Sequence, residues 1–211
     1  MPLLVDLVGF TGSGLFHTNW VGFRENLPER LDRLIGEQRM PPIVVAFPDC
    51  FTRLGGSQYI NSAVVGAWET FLIDEMLPAI EQCYRCGGPG RRGVFAMAAI
   101  YDPDPTQFLG MRLPVTLDTC EVIEERWSNW LRQDPVVAVD THADNLGRLK
   151  ALYLDCGEKD QFNLLYGARR FVRRLNELGI SHRYEEFPDD HTSVDYRMDQ
   201  SLPFLVQALS G

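Results

Sequence analysis

The sequence lacks the features by which several classes of protein are recognised. Its 20 lysine and arginine residues are outnumbered by 29 aspartate and glutamate residues, which gives a formal net charge of −9 and a pI near 4.9. Phosphate backbones and anionic lipid surfaces attract basic proteins, so we predict neither nucleic acid nor a membrane surface as a partner. No apolar run is long enough to cross a bilayer, and no basic leader precedes the first residues, so we expect a cytoplasmic protein.

Cysteine is scarce and has no framework spacing. The five cysteines are an odd number scattered along the chain, and Cys83 and Cys86 form a C-x-x-C motif without a second pair or a nearby histidine. Disulfide scaffolds and zinc sites need more regular groups of ligands, so we predict no metal and no redox centre. The chain has 211 residues, is 45% hydrophobic and shows no linker or repeat, so residues 1–211 are predicted to form one domain.

Short apolar runs alternate with amphipathic stretches along most of the chain. This order predicts an α/β fold in which a mostly parallel sheet is covered by helices on both faces. Prolines at 103, 105 and 114 break the alternation, so residues 96–147 are predicted to be a cap-like insertion. The predicted strands are Leu3–Val8, Ile43–Phe47, Gly93–Ala96, Leu149–Leu154 and Arg183–Phe187, and the predicted helices are Glu25–Glu37, Val64–Gln82, Glu124–Arg132, Gln161–Leu178 and Ser193–Leu209.

A glycine-rich turn, Gly9-Phe10-Thr11-Gly12-Ser13-Gly14, follows the first predicted strand. Glycines let backbone N–H groups approach a ligand closely, so this segment either supplies a donor to a developing oxyanion or is simply a tight turn. It lacks the Gly-Lys-Ser/Thr ending of a phosphate loop and the glycine spacing of the dinucleotide fingerprint, which disfavours nucleotide binding.

A second polar loop, Pro48–Tyr59, follows the next predicted strand. Ligands of open α/β sheets gather beyond the carboxyl ends of the strands, so both loops lie where a site is expected. Ser57 and Tyr59 are candidate substrate contacts. Asp49 and Arg53 are expected to be a structural pair or loop caps.

Two loops nearer the C-terminus carry a candidate acid and a candidate base. Asp160 and His191 each follow a predicted strand, and a predicted helix lies between them. A histidine base needs a carboxylate to fix its tautomer, and neighbouring loops at one sheet edge can bring the two together. Two structural alternatives remain open, in which Asp160 caps the following helix and His191 caps the last one. The remaining histidines are expected to be structural, because His17 and His142 lack an acidic partner in a recognisable frame and His182 opens a strand.

Taken together, these motifs resemble the esterase D-like branch of the α/β-hydrolases. The resemblance implies a carboxylic ester hydrolase that acts on small-molecule esters by acyl transfer and needs no cofactor. It implies Asp160 as the triad acid, His191 as the base, and an oxyanion donor at Phe10 or Thr11. Nearly the whole chain is covered, and the motifs that carry the resemblance are Gly9–Gly14, Phe47-Pro48-Asp49, Gly55–Tyr59, Gly157–Phe162 and Asp190-His191.

The chain departs from that family in its nucleophile. None of its eight serines has glycine two residues before and two residues after it, as the serine-bearing elbow requires. In relatives, a stretch like Arg91–Phe95 runs into the elbow, its helix and a further strand, whereas Ala96–Pro103 here resembles sequence from farther downstream. The antiparallel strands that begin the relatives are absent as well. We therefore expect an α/β-hydrolase-like fold that is truncated at the N-terminus and lacks an internal elbow–helix–strand block.

Three functions remain open at the level of sequence. The first is a carboxylic ester hydrolase that is impaired because the nucleophile is absent. The second is a non-catalytic remnant of such an enzyme, acting as a binding or structural protein. The third is a hydrolase that uses Ser57 or a cysteine as its nucleophile, which is disfavoured because none of these residues lies in a strained elbow.

Overall fold

The computed structural model describes residues 1–9, 11–53, 55–88, 92–96, 113–116, 118–192 and 194–211. These residues belong to two compact units, one formed by Met1–Asp32 with Pro42–Asp134 and the other by Arg33–Pro41 with Pro135–Gly211. The single domain over 1–211 stays a prediction. So does the insertion over 96–147, part of which lies outside the described residues.

The first unit is built on a three-stranded parallel sheet whose middle strand is the first strand of the chain. Strand β1 (Leu3–Leu7) pairs with β2 (Val44–Ala46) and with β5 (Arg92–Ala96), so that Val5 lies opposite Ala46 on one side and Val94 on the other. Alternate residues of a strand face opposite sides of the sheet, so Leu3, Val5 and Leu7 lie on the same face of β1. All three belong to one buried apolar cluster. The buried, apolar β1 was predicted as a strand, and its parallel pairing is that of the predicted fold class.

Helix α1 (Leu27–Gly36) begins in the first unit and ends in the second. Its start is defined by a capping box. The side chain of Asn26 accepts a hydrogen bond from the Glu29 N–H at 2.9 Å, and the Glu29 carboxylate accepts one from the Asn26 N–H at 2.9 Å. The predicted helix Glu25–Glu37 therefore begins two residues too early.

A short hairpin precedes the next helix, where a single helix over Val64–Gln82 was predicted. Strands β3 (Asn61–Ser62) and β4 (Gly66–Ala67) pair in antiparallel orientation, and Gly66 adopts a positive φ of 117°. The helix then runs without interruption through α2 (Trp68–Thr70), a π-helical segment (Phe71–Met76) and α3 (Leu77–Cys83). Pro78 has no N–H, and its ring crowds the carbonyl four residues earlier, which accounts for the widened turns before it. The last helix of this unit is α4 (Glu124–Leu131).

The second unit contains a βαβ segment. Strand β6 (Tyr153–Gly157) pairs in parallel with β7 (Arg183–Phe187), and helix α7 (Leu164–Glu177) lies between the two strands in the sequence. The other elements of this unit are α5 (Pro135–Ala138), α6 (Ala143–Gly147), a 3₁₀ turn (Val194–Arg197) and α8 (Met198–Ser210).

Strand β6 begins four residues after the start of the predicted strand Leu149–Leu154. Its register places Tyr153 opposite Arg183, the first residue of β7, so pairing with β7 begins only there. Leu149 precedes the pairing and is 51% exposed. Leu152 and Leu154 instead pack against a buried cluster that includes Leu175 of α7.

Candidate active site

Asp160 lies in the turn between β6 and α7. It is buried, and its Oδ1 accepts hydrogen bonds from the N–H groups of Phe162 at 2.9 Å and Leu164 at 3.2 Å. Asn163, the residue before the helix, has a left-handed φ of 58° and makes no capping bond with its own side chain. Asp160 therefore satisfies the N–H of Leu164, the first residue of α7, which the helix itself leaves unpaired.

The second oxygen of the same carboxylate meets the candidate base. Oδ2 of Asp160 lies 2.8 Å from Nδ1 of His191. A carboxylate can only accept, so this contact assigns a proton to Nδ1, and in the neutral imidazole Nε2 then carries the lone pair. The His191 side chain is 29% exposed. The pair therefore has the arrangement of a base with its orienting acid, with the basic nitrogen free of the carboxylate.

The structure thus combines two of the alternatives that the sequence left open for Asp160. The carboxylate caps α7 through Oδ1 and contacts His191 through Oδ2. His191 is not a cap of the last helix, because α8 begins at Met198, behind the 3₁₀ turn Val194–Arg197. The catalytic roles of both residues stay predictions.

The two loops that carry this pair are in close contact through their backbones. Beyond the last paired residues of β6 and β7, the Glu158 N–H donates to the Phe187 carbonyl at 2.8 Å and the Lys159 N–H donates to the Asp189 carbonyl at 3.0 Å. A Cβ atom at Gly157 would clash with the carbonyl oxygen of Asp189 and would lie 2.8 Å from that of Asp190. Gly157 is thus required for the approach of the His191 loop to the Asp160 loop.

The glycine-rich turn lies in the first unit, after β1. Phe10, one of its two predicted oxyanion donors, lies outside the described residues. The N–H of the other, Thr11, donates to the Gly55 carbonyl at 2.8 Å, and Thr11 has a positive φ of 70°. An oxyanion role for Thr11 requires this bond to open, and it stays a prediction. A Cβ at Gly14 would lie 2.6 Å from the Phe47 carbonyl oxygen, so the turn packs tightly on the loop after β2.

Ser57 and Tyr59 make internal contacts in that second loop. Ser57 is buried, and its Oγ accepts the Tyr59 N–H at 3.1 Å. The Tyr59 hydroxyl donates to the Val8 carbonyl at 2.5 Å. Burial, with smaller effects from Cys50 and two nearby carboxylates, raises the pKa of Tyr59 to about 12, so it remains a donor at neutral pH. Both residues thus join the loop to β1, and their contact with substrate stays a prediction.

Cysteine is a poor alternative nucleophile in the buried parts of the chain. Burial, followed by the charge of Asp49, raises the pKa of Cys50 to about 11. Burial, followed by the charge of Asp160, also raises the pKa of Cys156. The thiolate is the reactive form, so both sulfurs are largely inert at neutral pH.

Sequence reasoning missed a second carboxylate–imidazole pair. His17 was expected to have no acidic partner, which is wrong: its Nδ1 lies 2.7 Å from Oδ2 of Asp6. Asp6 is 1% exposed, and its Oδ1 has no hydrogen-bond partner among the described residues. The signal was an aspartate inside the apolar β1, because a buried charge needs a partner. Nδ1 of His182, by contrast, lies 2.9 Å from the Ile180 carbonyl oxygen.

Two further features bear on the classes of protein considered. Among the helices within the described ranges, none combines the length and the apolar character that crossing a membrane requires. The same ranges contain no group of three or more histidine, cysteine, aspartate or glutamate side chains placed to hold a metal ion.

Comparison with known proteins identifies the fold. No family model and no curated protein sequence matches the chain. Among solved structures, a ferulic acid esterase matches with a TM-score of 0.67 at 20% identity, over 99% of this chain and 85% of that one. Two proteins of Staphylococcus aureus match at 15% identity over the whole of this chain and 84% of theirs: the substrate-bound fluorophosphonate-binding serine hydrolase F, with a TM-score of 0.64, and S-formylglutathione hydrolase, with 0.62. The chain therefore has an esterase-like fold.

Proposed function

We propose that this chain is a carboxylic ester hydrolase of the serine type, impaired because it lacks the serine nucleophile. The observation that carries the proposal is the contact between Asp160 and His191, 2.8 Å from Oδ2 to Nδ1. The esterases and serine hydrolases among the structural neighbours support it, since proteins of that kind use such a pair to activate a hydroxyl group.

The chemistry of the pair follows from its geometry. Nε2 of His191 accepts the proton of an attacking hydroxyl group and later returns it to the leaving alcohol. Asp160 keeps the other ring nitrogen protonated and stabilises the imidazolium that forms in between. An N–H of Phe10 or Thr11 would stabilise the negative charge on the carbonyl oxygen of a small-molecule ester.

The impairment follows from the sequence after Phe95. No serine of the chain has the glycine spacing of the elbow, and the matches leave about a sixth of each neighbouring structure uncovered. A serine hydrolase without its nucleophile retains an acceleration on the order of a thousandfold over water, and only where its oxyanion hole persists. The raised pKa values of Cys50 and Cys156 disfavour a thiol as replacement.

The second candidate function is a non-catalytic α/β-hydrolase remnant that serves as a binding or structural protein. The absence of the elbow serine favours it, because without a nucleophile the acyl-enzyme cannot form. In this case the contact between Asp160 and His191 holds two loops together, and its value to the protein is structural.

Ester hydrolysis and covalent labelling test the proposal. The purified chain, its His191→Ala variant and the matched control His142→Ala, which changes an exposed histidine of the same unit, are incubated with a short-chain p-nitrophenyl ester and with a fluorophosphonate probe. We expect slow hydrolysis that is weaker in His191→Ala, which cannot activate a water molecule, and unchanged in His142→Ala, without covalent labelling.

Two other outcomes contradict the proposal. Labelling that depends on His191 would mean that a serine acts as nucleophile after all. Ester hydrolysis no faster than in buffer would contradict the proposed hydrolase and favour the non-catalytic remnant. The intact mass of the natural protein, compared with 24.0 kDa, independently shows whether that protein contains residues beyond these 211.

A further inference from the structure

Three consecutive residues contact His191, and each contacts a different part of it. Asp160 meets the ring at Nδ1. Gln161 accepts the backbone N–H of His191 through its Oε1 at 3.0 Å. The ring of Phe162 meets the imidazole edge-on, with the ring centroids 5.2 Å apart and the planes at 90°.

The Phe162 contact is notable because burial does not explain it. Phe162 is 65% exposed, so its ring gains little from removal from water. Perpendicular rings at this separation attract each other through their quadrupoles, beyond the area they bury. An exposed phenylalanine against the imidazole therefore restricts the rotation of the His191 side chain.

The Gln161 contact acts on the loop rather than on the ring. The His191 loop has bonds of its own, in which the Asp190 carboxylate accepts the N–H and the hydroxyl of Thr192, both at 2.6 Å. Those bonds shape the loop but do not connect it to the Asp160 turn. The amide oxygen of Gln161 makes that connection at His191 itself.

The three contacts come from one rigid turn. Oδ1 of Asp160 accepts the N–H groups of Phe162 and Leu164, which ties the segment to the start of α7. The position of Gln161 and Phe162 is therefore set by the same carboxylate that orients the imidazole.

We propose that Gln161 and Phe162 are positioning residues for His191, and that with Asp160 they hold its imidazole in the Nδ1-protonated, base-competent orientation. The proposal rests on the proposed function, in which His191 is the base. It adds that these three contacts all come from the turn between β6 and α7, so that the orientation of the base does not require a nucleophile.

Nuclear magnetic resonance of the full chain with ¹⁵N-labelled histidine tests this. Long-range ¹H–¹⁵N spectra report which ring nitrogen of His191 carries the proton, and the exchange rate of the Nδ1 proton with water reports how well the ring is held. We expect wild-type His191 to be protonated at Nδ1. Gln161→Ala and Phe162→Leu are each expected to raise the exchange rate by about threefold to tenfold, the loss of one weak contact.

Conservative and control variants separate positioning from general stability. Gln161→Glu keeps an oxygen acceptor and is expected to restore the slow exchange. Gln207→Ala changes an exposed glutamine of α8, and Phe51→Leu changes a half-exposed phenylalanine of the first unit, and both should leave the exchange rate unchanged. A merely structural role would lower the thermal midpoint without a selective effect on the His191 ring.

The outcomes that overturn the proposal are distinct from those that overturn the proposed function. Wild-type exchange rates in Gln161→Ala and Phe162→Leu, or equal increases in Gln161→Ala and Gln161→Glu, would refute the positioning role alone. A wild-type His191 protonated at Nε2 would refute the acid–base pair and the proposed function together. Neither the protonated ring nitrogen of His191 nor the exchange rate of its proton depends on the rate at which the chain hydrolyses an ester.

Discussion

Replacing Gly157 with alanine is expected to destabilise the chain and to separate the two loops of the candidate site. The added methyl group would clash with the Asp189 carbonyl and lie 2.8 Å from that of Asp190, and both obstacles are backbone atoms. The Lys159 N–H bond to Asp189, 3.0 Å long, must then lengthen or break. Forcing a methyl group into a filled space costs about 1–3 kcal/mol.

Gly167→Ala provides a matched control with the opposite expected sign. Gly167 lies inside α7, and nothing is within 4 Å of the position that its Cβ would take. Alanine is favoured over glycine in a helix interior by about 0.5–1 kcal/mol, so this variant should be more stable than the wild type.

Urea unfolding followed by circular dichroism measures both variants, and the Nδ1 proton of His191 reports on the site. We expect Gly157→Ala to lower the unfolding midpoint and to lose the slowly exchanging Nδ1 proton of His191. Gly167→Ala is expected to raise the midpoint and to keep that proton. The reasoning is refuted if Gly157→Ala is as stable as the wild type with its His191 proton still protected.

Other predictions concern charges and thiols. His17→Leu leaves the Asp6 carboxylate buried without its partner and should cost about 3–5 kcal/mol in urea unfolding, most of it recovered when Asp6→Leu is added. Cys50, buried and with its pKa raised to about 11, should react with a thiol reagent only on unfolding. The hydrogen-bonded Arg169 guanidinium lowers the pKa of Glu186 from 4.5 to about 2. The contribution of this pair to the free energy of unfolding is therefore present above about pH 4.5 and is lost as the pH falls towards 2. Glu186→Gln should therefore destabilise the chain at pH 6 and have little effect at pH 2.

The elements that the sequence predicted best are those whose signal is local. Strand Arg183–Phe187 was predicted to the residue, and the starts of α1 and α4 were predicted within two residues, because apolar runs and caps lie within a few positions. The start of β6 was missed because it depends on where Arg183 pairs, 30 residues away in sequence. The hairpin Asn61–Ala67 was missed because it has little apolar patterning.

In the candidate site too, the features with a local sequence signal were predicted, and those that depend on packing between distant segments were missed. The alternation of strands and helices placed Asp160 and His191 on neighbouring loops, and the structure brings them to 2.8 Å. The partner of His17 was missed because Asp6 lies inside a strand, 11 residues away, where no motif connects the two. Engagement of the Thr11 N–H by Gly55 also depends on packing between two loops, which single-sequence patterns do not report.

Restoring the nucleophile is the most demanding prediction. Strand β5 runs parallel to β1, with Phe95 opposite Asp6, so its carboxyl end lies beside the end of β1 where the glycine-rich turn begins. A Gly-x-Ser-x-Gly elbow with its helix and a further strand, inserted after Phe95, would emerge where ligands of open α/β sheets bind. We expect the extended chain to be labelled by a fluorophosphonate probe, and labelling to be lost when the new serine is replaced by alanine or when His191 is. An extended chain that unfolds cooperatively but shows no serine-dependent labelling would contradict the inference that the missing block accounts for the impairment of the chain.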